Sequence, residues 1–160
     1  MYGLGLRRSE ALSLRPESVD AKRMLVRVVG KRNRERVVPL PGALLVRLRE
    51  YWLTHRNRQW LFPAMHGGGH ISPKGLGEAF RIARARAGLG DEVTPHCLRH
   101  SYATHLLERG VGVGTVQIVL GHASLRSTLV YTHMTEALRE QLHGKCAEIF
   151  EGALAGGPGR

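Results

Sequence analysis

The sequence contains only two cysteines, Cys97 and Cys146, and they do not form a CxxC pair. A disulfide framework or a thiolate metal site uses more cysteines at closer spacing, so neither is expected here. No stretch approaches the roughly 20 consecutive apolar residues that a membrane-spanning helix needs. The arginine-rich start also lacks a secretory apolar segment, and we therefore expect a cytoplasmic protein.

Acidic residues are scarce relative to basic ones. The 160 residues include 24 lysines and arginines against 13 aspartates and glutamates, which gives a net charge of +11 and a pI near 10.8. This excess favours a polyanionic partner, with nucleic acid ahead of an anionic membrane surface. The chain length fits one compact domain with one core.

The pattern of apolar residues predicts a mixed, mainly α-helical fold with a small antiparallel β-hairpin. A short helix is predicted from Ser9, and the residues at Met24–Val29 and Val37–Leu40 are typical of two strands joined by a basic turn. Further helices are predicted over residues 41–56, 72–87, 94–109 and 134–150, with another ending at Leu120. Residues 1–151 are expected to form the domain, and the glycine-rich residues 152–160 a disordered tail.

The predicted helix after Thr94 carries the richest chemistry. His96, Arg99 and His100 stand at positions i, i+3 and i+4, so one helix face presents a row of hydrogen-bonding and cationic groups that suits an anion. An ordinary solvated basic face would look the same, and this triplet alone does not decide between the two interpretations. A glycine stop follows later at Leu120-Gly121-His122, and Tyr131 comes nine residues after His122.

Taken together, five short motifs in this order resemble the catalytic domain of the tyrosine recombinase (phage integrase) family across nearly the whole chain. They are Gly5-Leu6-Arg7-Arg8-Ser9-Glu10, Gly30-Lys31, His96-Cys97-Leu98-Arg99-His100, Leu120-Gly121-His122 and Tyr131-Thr132-His133. The resemblance implies the fold of that catalytic domain. It also implies six catalytic residues, namely Arg7, Lys31, His96, Arg99, His122 and Tyr131. Two further residues are implied as supporting ones, Glu10 and His100.

The chemistry implied by the resemblance explains why these residue types are needed. A phenolic oxygen of Tyr131 attacks a DNA phosphodiester, and Arg7 and Arg99 clamp the extra charge on the phosphate without a metal ion. The product is a 3′-phosphotyrosyl bond and a free 5′ hydroxyl. Because the bond energy is stored covalently, a second strand can reverse the step, and no nucleotide or other cofactor is expected.

The three remaining residues transfer protons or donate hydrogen bonds in this scheme. Lys31 protonates the departing 5′ oxygen, and His122 adds a further hydrogen-bond donor. His96 accepts or relays the proton of the phenol, since a free tyrosine with a pKa near 10 is a poor nucleophile at neutral pH.

Two of these assignments have neighbours that compete for the same role. Arg8 is adjacent to Arg7, and Arg32 and Arg34 lie in the same predicted turn as Lys31. Basic residues of this kind can also serve only to contact DNA phosphates. The residues expected to bind double-stranded DNA are Arg8, Arg32, Arg34, Lys74 and Arg126.

The last predicted helix, over residues 134–150, has an apolar stripe that includes Leu142 and Cys146. It can pack on its own core or, as the resemblance implies, dock into a neighbouring subunit of a tetramer on DNA. Both alternatives stay open at this point.

The resemblance also implies an N-terminal domain of roughly a hundred residues and a first catalytic-domain helix, neither of which precedes Arg7 here. A DNA-binding remnant without catalytic activity is therefore one rival interpretation. A type IB topoisomerase is another, although the spacing from His122 to Tyr131 resembles recombinases more closely. We expect a bacterial, nucleoid-associated site-specific recombinase or integrase.

Overall fold

The structure is a computed structural model, and it describes residues 1–30, 33, 35–66, 68–121 and 136–155. Six α-helices and three strands are found in these ranges, together with 3-10 turns at Tyr2–Leu4 and Pro16–Ser18. The helices are α1 (Arg8–Leu12), α2 (Gly42–His55), α3 (Pro73–Arg86), α4 (Pro95–Glu108), α5 (Val113–Leu120) and α6 (Glu136–Ala155). The strands are β1 (Val19–Asp20), β2 (Leu25–Val29) and β3 (Glu35–Pro39).

The strands form one antiparallel sheet in the order β1, β2, β3. Val26 of β2 stands opposite Val38 of β3, and Val28 stands opposite Arg36. The predicted hairpin is confirmed, and the mainly helical fold class is confirmed with it. Strand β1 was not predicted, because two residues are too few to show the alternation that marks a strand.

Helices α1 to α4 begin within one residue of the predicted starts. Ser72 precedes α3 and its hydroxyl accepts the backbone N–H of Gly75 at 3.0 Å, as an N-cap residue does. Thr94 is extended just before α4, and Pro95 takes the first helical position, where its missing N–H is tolerated. These starts fix which turn of each helix carries the basic side chains discussed below.

A single hydrophobic core lies between the sheet and the helices. Its largest fully buried side chains include Tyr102 and Leu106 of α4 and Leu6, which precedes α1. The turn Tyr2–Leu4, α2, α4 and β3 all contact α6. The first residues of the chain and its last helix are therefore packed together around α4.

Helix α6 confirms the predicted apolar stripe at Leu142, Cys146 and Ile149, which are buried; its other members, Met134 and Leu138, lie outside the described side chains. The three buried side chains pack on the helix's own chain, which is one of the two alternatives, and docking on a second copy stays a prediction. The expected disordered tail is corrected for residues 152–155, since α6 continues to Ala155. The segment Ala153-Leu154-Ala155 consists of strong helix formers that extend an existing helix readily.

None of the helices in the described ranges combines the length and the apolar character needed to cross a bilayer.

Candidate active site

The candidate site is organised around the side chain of Glu10 in α1. Arg7 is the residue just before α1, and Glu10 stands three residues later in its first turn. The Glu10 carboxylate accepts the backbone N–H of Arg7 at 2.7 Å and Nη1 of Arg7 at 2.8 Å. A glutamate that reaches back from the third helical position is a normal device for closing a helix start. Here it fixes both the backbone and the guanidinium of Arg7.

A second arginine, Arg36 of β3, holds the same carboxylate. Its Nη1 and Nη2 atoms donate to the two Glu10 oxygens at 2.7 and 2.8 Å, the two-pronged geometry in which arginine–carboxylate pairs are strong. Its Nε donates to the carbonyl of Val119 at 2.9 Å. Only 4% of the Arg36 side chain and 2% of the Glu10 side chain are exposed, so this ion pair is buried.

Sequence analysis did not identify Arg36 as a site residue. A signal was present, because Arg36 and Val38 are two residues apart in a strand and therefore face the same side, and Val38 is apolar. A buried arginine needs a carboxylate or carbonyl partner. Its partner Glu10 is 26 residues away in the sequence, however, and strand alternation gives no information about that pairing.

The third arginine, Arg99 of α4, is also almost entirely buried, with 6% of its side chain exposed. Its Nη1 donates to the carbonyl of Gly5 at 2.5 Å, and its Nη2 donates to the carbonyl of Leu120 at 2.6 Å. The distance from Nη1 to Glu10 Oε2 is 3.8 Å. Arg99 thus joins the segment before α1 to the end of α5.

The three arginines meet at the C-terminal end of α5. The last carbonyls of a helix have no partner within the helix and carry a partial negative charge. Three consecutive ones accept an arginine each: Val119 from Arg36, Leu120 from Arg99, and Gly121 from Arg7, the last through Nη2 at 2.9 Å. The turn immediately before His122 is therefore held by the same groups that surround Glu10.

Two glycines allow this close packing. Gly121 has a φ of +67°, and a Cβ atom there would come within 2.9 Å of Cδ of Arg36. Gly5 has a φ of +58°, and its Cβ would come within 2.6 Å of the Tyr102 ring. Both positions need a residue without a side chain, for conformational and for steric reasons. The predicted glycine stop at Gly121 is confirmed.

We expect the substitution Gly5→Ala to lower the free energy of unfolding by about 2–5 kcal/mol. The left-handed backbone disfavours alanine by about 1–2 kcal/mol, and overpacking against Tyr102 adds about 1–3 kcal/mol. Urea denaturation measures this change. Gly77→Ala in α3 is the matched control, because nothing lies within 4 Å of its Cβ position and alanine favours a helix. Equal stability of the two variants would contradict the prediction.

Positive charge is in excess at this site, since three guanidinium groups surround one carboxylate. Burial alone would raise the pKa of Glu10, but the hydrogen bonds and charge of Arg36 and the hydrogen bonds of Arg7 outweigh it and hold the pKa at about 2. Burial and the neighbouring charge of Arg7 lower the pKa of Arg99 to about 10, so this group remains charged at neutral pH. An anion placed here would meet cations that are already fixed in position.

The ionised Glu10 should make stability depend on pH. Its pKa is about 2 in the folded protein against an ordinary 4.5, so its contribution is present above the ordinary value and is lost as pH falls towards the folded one. We expect this term to remove up to about 3 kcal/mol across that range. Denaturation at several acidic pH values should show this loss of stability. The loss should be smaller in Glu10→Gln.

Glu78→Gln is the control for that experiment. Glu78 also pairs with an arginine, Arg81, but 57% of its side chain is exposed, and solvent screening makes such pairs weak. If Glu10→Gln and Glu78→Gln change the dependence of stability on acidic pH equally, the explanation by a buried ion pair is contradicted.

The structure brings Arg7, Glu10 and Arg99 together, and it places the two predicted histidines of α4 at the surface. His96 lies in the first turn of α4 and is exposed, as is His100. His96 also lines a cavity of about 370 Å³ together with Arg8 and Thr94. Arg7 is the most accessible of the three clustered arginines, with 42% of its side chain exposed.

The predicted DNA-contacting residues are described only in part. Arg8 and Lys74 are exposed, at the start of α1 and in the first turn of α3 respectively. The other predicted site residues lie outside the described residues, namely Lys31, Arg32, Arg34, His122, Arg126 and Tyr131.

A groove of about 880 Å³ lies beside the cluster. It runs between α1, the β2–β3 hairpin and the start of α3, and its lining includes Glu10, Arg15 and Trp60. The guanidinium of Arg15 stands 5.1 Å from the centre of the Trp60 ring, within the range of a cation–π contact. The groove therefore opens beside α1, with Glu10 among its lining residues.

Among the described residues, no group of three or more His, Cys, Asp or Glu side chains is placed to hold a metal ion.

Comparison with known proteins gives one consistent family. The sequence model of the Phage integrase family matches residues 1–137. The integrase/recombinase y4qK of Sinorhizobium fredii is 46% identical over 131 residues, which cover 81% of this chain and 42% of that protein. Tyrosine recombinase XerC of Chlamydia muridarum is 35% identical over 148 residues, covering 89% of this chain and 47% of the relative.

A solved structure has the same fold. It is the XerH site-specific recombinase bound to difH substrate in a pre-cleavage complex, which is 28% identical and superposes with a TM-score of 0.67. The match covers 86% of this chain and 42% of that one. The chain thus spans about half the length of the relatives it matches.

Proposed function

Since the chain belongs to the phage integrase family of tyrosine recombinases, we propose that it is the catalytic domain of a site-specific DNA recombinase or integrase, acting in the cytoplasm. Its substrate would be double-stranded DNA, and the similar XerH recombinase is bound to its difH substrate. The observation that carries the proposal is the group of three arginines around the single carboxylate of Glu10. Such a cluster is suited to a phosphate and leaves Arg7 partly exposed to receive one.

In the proposed reaction the phenolic oxygen of Tyr131 bonds to the phosphorus of one DNA strand. The bond from phosphorus to the 5′ oxygen breaks, and that oxygen takes a proton from Lys31. The phenol loses its proton to His96, and a 3′-phosphotyrosyl bond remains. A 5′ hydroxyl of a second strand then attacks the phosphorus and releases Tyr131, so the number of phosphodiester bonds is conserved.

In this reaction Arg7 and Arg99 stabilise the charge that develops on the phosphate oxygens. Arg7 can turn its exposed edge towards the phosphate while Glu10 and Gly121 hold the rest of its guanidinium. Arg99 contributes a fixed charge from just behind the surface, and His122 follows Gly121 directly in the sequence. Donors that are positioned before the reaction need no reorganisation during it, and this is the main source of their effect.

DNA binding itself would rest on phosphate contacts. Arg8 and Lys74 are exposed on two elements, and we assign the same role to Arg32, Arg34 and Arg126. Each phosphate that a protein neutralises releases counterions, so binding should weaken steeply with salt. The histidine His100 is assigned a supporting role beside Arg99 on the same helix turn.

A nicked suicide duplex tests the proposal. The nick lets the cleaved piece diffuse away, so the covalent protein–DNA adduct accumulates and can be seen on a denaturing gel. Several arbitrary duplexes should be used, and peptide mapping should locate the attachment at Tyr131. Salt-sensitive mobility shifts without any adduct would instead identify a DNA-binding domain that does not cut. Relaxation of supercoiled DNA without strand exchange would identify a topoisomerase.

A further inference from the structure

Arg36 uses all of its donor atoms inside the protein. Nε donates to Val119, while both terminal nitrogens donate to Glu10, and only 4% of the side chain is exposed. This arginine therefore does not present a free edge to a DNA phosphate. Any role of Arg36 in the reaction must therefore be exerted through the residues that it contacts.

Arg7 is held by two groups, the Glu10 carboxylate, which accepts its Nη1 at 2.8 Å, and the carbonyl of Gly121, which accepts its Nη2 at 2.9 Å. Arg36 donates to Glu10 and lies directly against Gly121, since a Cβ there would be 2.9 Å from its Cδ and 3.1 Å from its Nε. One buried side chain thus supports both anchors of the exposed arginine.

We propose that Arg36 is a positioning residue for DNA cleavage, which fixes the Glu10 carboxylate and the Gly121 turn and through them the guanidinium of Arg7. The inference rests on the proposed function. The rigid fork of arginine suits this task, because it gives two parallel bonds to one carboxylate and a third bond in the same plane. A lysine would keep the charge and lose this geometry.

The test compares single-turnover cleavage of the suicide duplex by the unmodified chain, Arg36→Gln and Arg36→Lys. We expect Arg36→Gln to slow adduct formation by about 10- to 100-fold, because small misplacements of catalytic groups can change rates on the order of 10²-fold. The affinity for DNA should stay within about twofold, since the side chain is buried away from DNA. Arg36→Lys should recover part of the rate.

A matched control removes the same charge from the surface. Arg47 of α2 pairs with Glu50 and 63% of its side chain is exposed, so Arg47→Gln should leave the rate unchanged. The amplitude of the reaction reports the folded fraction, whereas the rate constant reports the site in folded molecules. A lower amplitude with an unchanged rate constant would overturn the proposal, because it would show a role in stability alone.

A double-mutant cycle with Glu10→Gln decides whether Arg36 acts through Glu10. The double variant removes both charges of the buried Arg36–Glu10 pair together, which keeps the experiment informative if a single variant unfolds. If the proposal holds, Arg36→Gln slows the reaction much less in the Glu10→Gln background than alone. Equal slowing in both backgrounds would overturn it. Absence of any adduct with the unmodified chain would overturn the proposed function itself, which separates the two failures.

Discussion

Replacing Tyr131 with phenylalanine is expected to abolish covalent attachment to DNA while leaving DNA binding unchanged. The substitution removes only the phenolic oxygen, which is the atom that bonds to phosphorus in the proposed reaction. Loss of a nucleophile lowers rates on the order of 10⁶-fold in enzymes where it has been separated from other effects. No adduct should therefore be visible on a denaturing gel over hours, whereas mobility shifts should match those of the unmodified chain.

Tyr51→Phe is the matched control for this result. Tyr51 lies on the exposed side of α2, where its ring contacts His55 and Phe62, and the phenylalanine ring can keep those contacts. We expect this variant to form the adduct at the normal rate. A residual adduct in Tyr131→Phe, mapped to another tyrosine, would contradict the assignment of the nucleophile.

The second large effect is expected from Arg7→Ala, which should slow adduct formation by about 10³-fold or more. Single oxyanion donors are worth about 10²–10³-fold, and an arginine directed at a phosphoryl group is worth up to about 10⁵-fold. Arg7 also holds Glu10, so its removal leaves a buried carboxylate with fewer partners. Single-turnover cleavage at saturating protein concentration measures the effect separately from DNA affinity.

Arg8→Ala provides the control, because the two arginines are adjacent and carry the same charge. Each substitution should lower the affinity for DNA by a similar amount. Each should also reduce the slope of log affinity against log salt concentration by about one. Only Arg7→Ala should change the rate constant strongly, since Arg7 and not Arg8 is bonded to Glu10 and Gly121. A larger rate effect in Arg8→Ala would transfer the catalytic assignment to Arg8.

Local signals were sufficient to predict most of the helical fold. Helix starts at Ser72 and Thr94, the β-hairpin and the glycine stop at Gly121 each depend on a few neighbouring residues, and all four are found. The two-residue strand β1 could not be predicted, because it forms only by pairing with β2. Residues 152–160 were expected to be a disordered tail, although helix α6 extends through residues 152–155.

The candidate site was predictable to a similar degree. The motifs identified Arg7, Glu10 and Arg99, and these side chains do meet in the structure. Arg36 was missed, because its importance follows from a partner 26 residues away and from the carbonyl of Val119, which is 83 residues away. Contacts of that range depend on how the elements pack, and neither helical spacing nor strand alternation contains that information.

Under the proposed function, the arginine cluster also limits the stage of synthesis at which the protein can break DNA. Arg7 leaves the ribosome before the carbonyl of Gly121, which holds it and lies 114 residues later in the chain. Under the proposed function, a nascent or partly degraded chain lacking the end of α5 would have no assembled phosphate clamp. Only molecules in which Arg7 and the end of α5 have already come into contact could then break DNA.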